Sequence, residues 1–132
     1  MQVNYYAVLA AALSTFIIGG LWYSPVLFQR AWMTANGLEA TDLERGSPGV
    51  IFGVSLLLAV IMSMNLAMFL SGPETAVTWG ATAGALTGLG WVTPALTTVA
   101  LFERRSWRYI AINGGYWVAS FTVMGAILGA WR

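Results

Sequence analysis

The chain has 132 residues, of which 58% are hydrophobic and only 8% are charged, whereas a soluble domain carries roughly a quarter of its residues as charged side chains. This composition predicts an integral membrane protein, and a net charge of +1 gives no reason to expect a nucleic-acid partner. The sequence contains no cysteine and no histidine, which excludes disulfides, thiolate chemistry and imidazole ligation, so we expect no metal and no cofactor.

Four segments are long and apolar enough to cross a bilayer, which takes about 20 mainly apolar residues. They cover approximately residues 4–23, 48–70, 76–102 and 107–131. The expected fold is all-α, a single transmembrane domain over residues 1–132 built as a four-helix bundle. The second and third spans are joined by a tight turn that contains Gly72 and Pro73, so we expect these two helices to be antiparallel neighbours.

The loop after the first span carries the signals of a short helix. Ser24 and Pro25 have the form of a helix start, a hydroxyl N-cap followed by proline at the first helical position. Asn36 and Gly37 form a matching stop. The pattern predicts a helix from Pro25 to about Ala35 that lies in the inner membrane interface.

The arginines predict the orientation in the membrane, because loops rich in basic residues stay on the cytoplasmic side. The side opposite to the first and third loops holds a single basic residue, Arg132. This bias predicts that both termini lie outside and that the first and third loops are cytoplasmic. The basic residues of those two loops are Arg30, Arg45, Arg104, Arg105 and Arg108.

Rows of small residues recur at helical spacing, with Gly80, Gly84 and Gly88 in the third span and Gly125 and Gly129 in the fourth. Such rows let two helix backbones approach closely, which matters in lipid because there is no hydrophobic driving force between helices. The spacing is compatible with packing inside one subunit and with packing between subunits. The number of such rows favours a self-associating protein or a subunit of a larger complex.

A short motif occurs twice in the chain. Trp22 is followed by Ser24 and Pro25, and the same pattern returns as Trp91, Thr93 and Pro94. Proline within a helix removes one backbone hydrogen bond and displaces a carbonyl. The favoured interpretation is an old duplication that preserves two kinked helices for packing. The alternative is a pair of broken helices that border a binding site, as in transporters.

The two copies of the motif are not equivalent. The second copy has five extra residues before the next aromatic residue, Phe102, which corresponds to Phe28 in the first copy. If both phenylalanines mark the inner interface, the second break lies about 7.5 Å deeper in the bilayer, at 1.5 Å per helical residue. This offset makes Trp91 and Pro94 the more serious candidates for a site.

Polar residues inside the spans are few. Asn65 and Asn113 need hydrogen-bond partners in hydrocarbon, and an interhelical bond is the simplest expectation. With Tyr116, Asn113 is a candidate binding residue. Glu103 precedes Arg104 and Arg105 at the end of the third span, where an interfacial ion pair is expected rather than a catalytic acid. No spacing in the chain supports an enzyme.

Several of these stretches also resemble a known family. They are the Asn-Tyr start at Asn4, the Gly-x-Leu-Trp-Tyr-Ser-Pro stretch from Gly19, Arg30-Ala31-Trp32, Phe102-Glu103-Arg104, and residues 113–116. They resemble a bacterial family of small four-span membrane proteins known as domain of unknown function 1761. The resemblance implies a topology and a location in the bacterial inner membrane. The family has no established reaction, so no catalytic residue is implied.

The expected function is therefore structural. The glycine rows predict a helix-packing subunit of a membrane complex or a homo-oligomer, whose partners are the lipid bilayer and other membrane subunits or itself. The alternative is a small carrier or channel for a neutral or weakly polar solute that uses kinked first and third spans.

Overall fold

A computed structural model describes residues 3–44 and 46–132 and confirms the all-α fold. Within these ranges four helices are long and apolar enough to cross a membrane, as expected of a multi-pass membrane protein. The α-helices are α1 (Tyr5–Trp22), α2 (Gln29–Asn36), α3 (Pro48–Phe69), α4 (Val77–Thr87), α5 (Thr93–Phe102) and α6 (Trp107–Ala130). A 3₁₀ helix covers Ala40–Glu44, and a π-helical turn, Gly88–Val92, joins α4 to α5 as one long helix.

Three of the long helices begin at a polar side chain that caps the first turn. The side-chain oxygen of Asn4 accepts hydrogen bonds from the amides of Tyr6 and Ala7. The hydroxyls of Ser47 and Ser106 accept one each at the starts of α3 and α6. Each cap satisfies a backbone donor that has no partner inside its helix, so the sequence defines these helix starts locally.

The short helix after α1 begins later than its sequence signal predicts. The hydroxyl of Ser24 donates to the carbonyl of Leu21 at 2.6 Å and does not act as an N-cap, so Pro25 lies in a turn and the helix begins at Gln29. The predicted stop is confirmed, because Gly37 has a left-handed φ of 66° and closes α2. Asparagine and glycine are the residues that adopt this conformation at little cost.

The third long helix packs along α6 by direct backbone contact. A Cβ added at Gly80 would overlap the carbonyl oxygen of Gly125, and one added at Gly84 would overlap that of Phe121. At Gly88 a Cβ would lie 2.7 Å from the Cα of Val118. The glycine rows of the third and fourth spans therefore face each other within one chain, which answers the question that the sequence left open.

The expected pairing of the second and third spans is wrong. α3 packs mainly on α1, and α4 packs on α6, so α3 and α4 do not pack along their length. One contact that holds α3 to α1 is the buried hydroxyl of Ser63, which donates to the carbonyl of Val8 at 2.8 Å. The glycine row packs α4 on α6 and away from α3. The tight turn between α3 and α4 does not force these two helices to pack together.

The core lies where α1, α3 and α6 meet, with one contribution from α4. Met124 of α6 is fully buried at its centre. The small side chains of α1 let α6 approach closely, and larger side chains of α3 and α6 fill the remaining space. The core residues are Ala7, Val8, Ala11, Leu66, Ala67, Leu70, Ala83, Phe121, Met124 and Leu128.

We predict that Gly84→Ala lowers the free energy of unfolding by about 1–3 kcal/mol, because the added methyl group must displace the α6 backbone. Thermal unfolding in mild detergent measures the effect. Gly53→Ala is the matched control: a Cβ there meets nothing within 4 Å, so its free energy of unfolding should not fall and should rise by up to about 1 kcal/mol, because alanine favours a helix more than glycine does. Equal melting temperatures for both variants would contradict the backbone contact.

Candidate functional site

The first copy of the repeated motif docks the end of α1 on α6. The indole nitrogen of Trp22 donates to the carbonyl of Ile112 at 2.9 Å. The indole ring also lies flush against Gly115, where an added Cβ would come within 2.9 Å of it. Trp22 is therefore a packing residue, directed into the bundle.

Asn113 and Tyr116, both candidate binding residues, hold the same junction. The Tyr23 hydroxyl donates to the side-chain oxygen of Asn113 at 2.7 Å, and the Asn113 amide donates to the carbonyl of Tyr109 at 3.0 Å. The Tyr116 hydroxyl donates to the carbonyl of Thr15 at 2.9 Å. The expected interhelical bond of Asn113 is thus present. The side chains of Asn113 and Tyr116 both make hydrogen bonds within the protein that hold α1 on α6.

Tilted and edge-to-face aromatic rings extend this junction to the short helix. The ring of Tyr23 lies 5.5 Å from that of Trp32 in α2 and 5.4 Å from that of Tyr116 in α6. Tyr116 in turn contacts Trp117 edge to face, with ring centroids 4.9 Å apart. Aromatic pairs at such separations stabilise their elements beyond simple area burial, so α2 is fastened to the bundle through Tyr23.

The second copy of the motif reaches α6 at the same level but with a different residue. The hydroxyl of Thr93 donates to the carbonyl of Gly114 at 3.3 Å, whereas the side chain of Trp91 is 79% exposed. The two motifs therefore contact carbonyls two residues apart on α6, about 3 Å along its axis. Thr93 corresponds to Ser24 and not to Trp22, so these two contacts do not measure the expected offset of about 7.5 Å, which stays a prediction. After Trp22 the chain turns back, and the amide of Phe28 donates to the carbonyl of Trp22.

The π-helical turn explains why Thr93 faces α6. The small residues of the third long helix follow a four-residue spacing from Gly80 through Gly84 to Gly88, and the next position in that row would be Val92. The amide of Thr93 instead donates to the carbonyl of Gly88, five residues earlier. The wider turn shifts the row by one residue. Such π turns occur frequently at functional sites, and this one ends two residues before Pro94.

An apolar groove separates α3 from α4, with Phe121 of α6 among its lining residues. Its volume is about 540 Å³, within the range of small-molecule sites and also large enough for the side chains of another helix. Phe69 and Trp79 approach across it near the turn, with ring centroids 6.4 Å apart. The lining residues are Met62, Asn65, Leu66, Phe69, Trp79, Ala83, Leu86, Thr87, Trp91, Val92 and Phe121.

Asn65 is the side-chain amide of this groove, and part of its hydrogen-bonding capacity is unmet. Its amide nitrogen donates to the carbonyl of Ile61, one turn earlier on α3, at 3.0 Å, and its side chain is exposed. Its side-chain oxygen has no partner among the described residues. The expected interhelical bond of Asn65 is therefore not made within residues 3–44 and 46–132, in contrast to that of Asn113. An amide in apolar surroundings costs free energy until it is paired.

The remaining predicted site residues lie at the surface. Glu103, Arg104 and Arg105 are exposed in the turn between α5 and α6, and the guanidinium of Arg105 lies 5.2 Å from the ring centroid of Tyr109. Pro25 and Pro94 are both exposed. Sequence reasoning named Trp91 and Asn65 separately but missed the groove that joins them, because no local pattern states that α3 and α4 diverge.

The comparisons with known proteins give one match. A family model described as "Protein of unknown function (DUF1761)" matches residues 6–129. No curated protein and no solved structure matches the chain.

We predict that Tyr23→Phe leaves Asn113 without its donor and lowers the free energy of unfolding by about 1–3 kcal/mol. Tyr23→Phe keeps the ring that contacts Trp32 of α2, so that contact is tested by Tyr23→Ala, which should accelerate hydrogen exchange of the amides of residues 29–36, as mass spectrometry can measure. Tyr6→Phe and Tyr6→Ala, at a side chain that is 76% exposed, are the matched controls and should change neither quantity. Unchanged exchange in Tyr23→Ala would show that α2 is held by other contacts.

Proposed function

The chain belongs to the DUF1761 family, a kinship that brings no assigned activity, and we propose that it is a non-catalytic membrane protein that packs against a second copy of itself. The single observation that carries this proposal is the exposed amide of Asn65 in the groove between α3 and α4. The glycine rows no longer carry it, because they are occupied within the chain.

Symmetry favours a second copy as the partner. Two copies inserted in the same orientation and related by a twofold axis along the membrane normal have identical residues at identical depth. An amide offers both a donor and an acceptor, so the two Asn65 side chains can pair with each other across that axis. Polar pairs of this kind hold helices together in membranes.

The groove supplies the shape for such a contact. Its walls carry large apolar side chains on both helices, including Phe69, Leu86 and Trp91. Lipid chains can cover these side chains, but they cannot pair with the Asn65 amide. A neighbouring helix can do both, so contact with a second copy stabilises the groove more than contact with lipid does.

The proposed location is the bacterial inner membrane, with both termini outside and the first and third loops in the cytoplasm. Support comes from the described arginines, of which Arg30, Arg104, Arg105 and Arg108 lie at one end of the bundle and Arg132 at the other. Arg45, the remaining basic residue of the first loop, lies outside the described residues.

A second candidate function is a carrier for a neutral or weakly polar solute, and the position of the π turn favours it. Trp91 and Val92 belong to the turn and also line the groove. A change from the π turn to a regular α-helical turn would rotate these side chains and alter the groove. A solute would then bind between the apolar walls with a polar atom at Asn65.

The dimer proposal predicts that Met62→Cys, which lies in the same groove as Asn65, forms a disulfide between copies under mild oxidation in native membranes, because pairing of the intact Asn65 amides brings the adjacent turns of the two α3 helices together. The chain has no native cysteine, so a covalent dimer on a non-reducing gel reports this position alone. Most of the protein should run as a dimer. Asn65→Ala added to this variant should lower the yield of covalent dimer.

Ile17→Cys is the control for this experiment. Ile17 lies on α1, is 76% exposed and does not line the groove. It should give little covalent dimer at the same expression level. Equal yields at Met62→Cys and Ile17→Cys, or none at Met62→Cys, would contradict the proposal.

The carrier candidate predicts that Pro94→Ala abolishes solute flux, because alanine restores the amide that proline lacks and favours a regular helix. Swelling of proteoliposomes in urea or erythritol measures the flux. Pro25→Ala, in the exposed turn after α1, should leave it unchanged. Wild-type proteoliposomes that swell no faster than empty liposomes would remove this candidate.

A further inference from the structure

A second cavity lies at the opposite end of the bundle from the Trp22 junction, independent of the groove. Its volume is about 320 Å³. It is formed by the start of α1, the end of α3 and the end of α6. The lining residues are Val3, Asn4, Ala7, Ala67, Leu70, Ser71, Pro73, Leu128, Trp131 and Arg132.

The inner wall of this cavity is apolar and belongs to the core. Ala7 is fully buried, and the exposed fractions of Leu70 and Leu128 are 2% and 5%. None of the described residues that line the cavity is acidic. A ligand that enters it meets hydrocarbon on one side and a cation on the other.

The cation is the guanidinium of Arg132. One of its terminal nitrogens donates to the carbonyl of Thr75 at 2.8 Å and the other to that of Ser71 at 3.3 Å. Both acceptors are neutral carbonyls, so these bonds hold the guanidinium in position without neutralising its charge. A guanidinium has five donors, which leaves further donors for an anion. In the part of the chain that the structure describes, Arg132 is the only basic residue at this end of the bundle.

We propose that this cavity binds a phosphate-bearing lipid. The phosphate accepts hydrogen bonds from Arg132, and the first part of an acyl chain lies against Ala7, Leu70 and Leu128. Arginine suits this task because its planar fork matches the oxygens of a phosphate group. Trp131 lies beside it, and tryptophan is enriched at the level of lipid headgroups. The proposal does not depend on whether the protein forms dimers.

Native mass spectrometry of the detergent-purified full chain tests the site, with phosphatidylglycerol as the probe. Arg132→Gln should weaken phosphatidylglycerol binding by about tenfold, the effect of losing a charge-assisted hydrogen bond. Arg104→Gln removes an exposed arginine at the other end of the bundle and should have no effect. Ala67→Leu fills the cavity while leaving Arg132 in place, and it should also weaken binding. Melting temperatures identify any variant that fails to fold.

Two further ligands separate the sources of the anion. Diacylglycerol, which lacks the phosphate, should bind much more weakly than phosphatidylglycerol, and inorganic phosphate should not compete at equal concentration. Equal losses in Arg132→Gln and Arg104→Gln would reduce the effect to net charge and overturn the proposal, as would tight binding of diacylglycerol. Unchanged binding to a folded Ala67→Leu would also overturn it. Competition by inorganic phosphate would assign the guanidinium to a soluble anion and overturn the lipid assignment.

Discussion

The close contact between the third long helix and α6 is the constraint on which the rest of the architecture depends. Where Gly80 and Gly84 meet α6, no side chain separates the two backbones. Without a hydrophobic driving force in lipid, such proximity maximises dispersion contacts and allows weak hydrogen bonds from Cα to carbonyl oxygens. The contact commits α4 to α6, so α4 cannot also cover α3, and the groove follows from that commitment.

α6 serves as the common partner because small residues line more than one of its sides. Gly125 and Gly129 receive α4, while Gly114 and Gly115 receive Thr93 and Trp22. The two copies of the motif therefore lie on neighbouring residues of one helix, although they use different side chains. Both copies of the motif thus contact α6, whether the motif preserves two kinked helices for packing or borders a binding site.

The helical fold was predictable from the sequence, since a run of about 20 apolar residues can only be a helix in lipid. Gly37 was predictable for the same local reason, as a stop that needs a left-handed φ. The true start of α2 was not predictable from Ser24 and Pro25. A serine hydroxyl can either accept from an amide as an N-cap or donate to a carbonyl, and Ser24 donates to the carbonyl of Leu21. The two asparagines show the limit most clearly: Asn113 and Asn65 have equal local signals, and only the path of the neighbouring helices gives the former a partner and leaves the latter exposed.

The position of α6 in the chain has a consequence for biosynthesis. The first three long helices are made before the helix on which α1 and α4 pack. During translation the glycine row of α4 therefore waits in lipid or against the insertion machinery, and the Tyr116 bond to Thr15 closes across a separation of 101 residues. Contacts so distant in sequence form late. The bundle is thus completed in one final step, when the last helix enters the membrane and organises those already there.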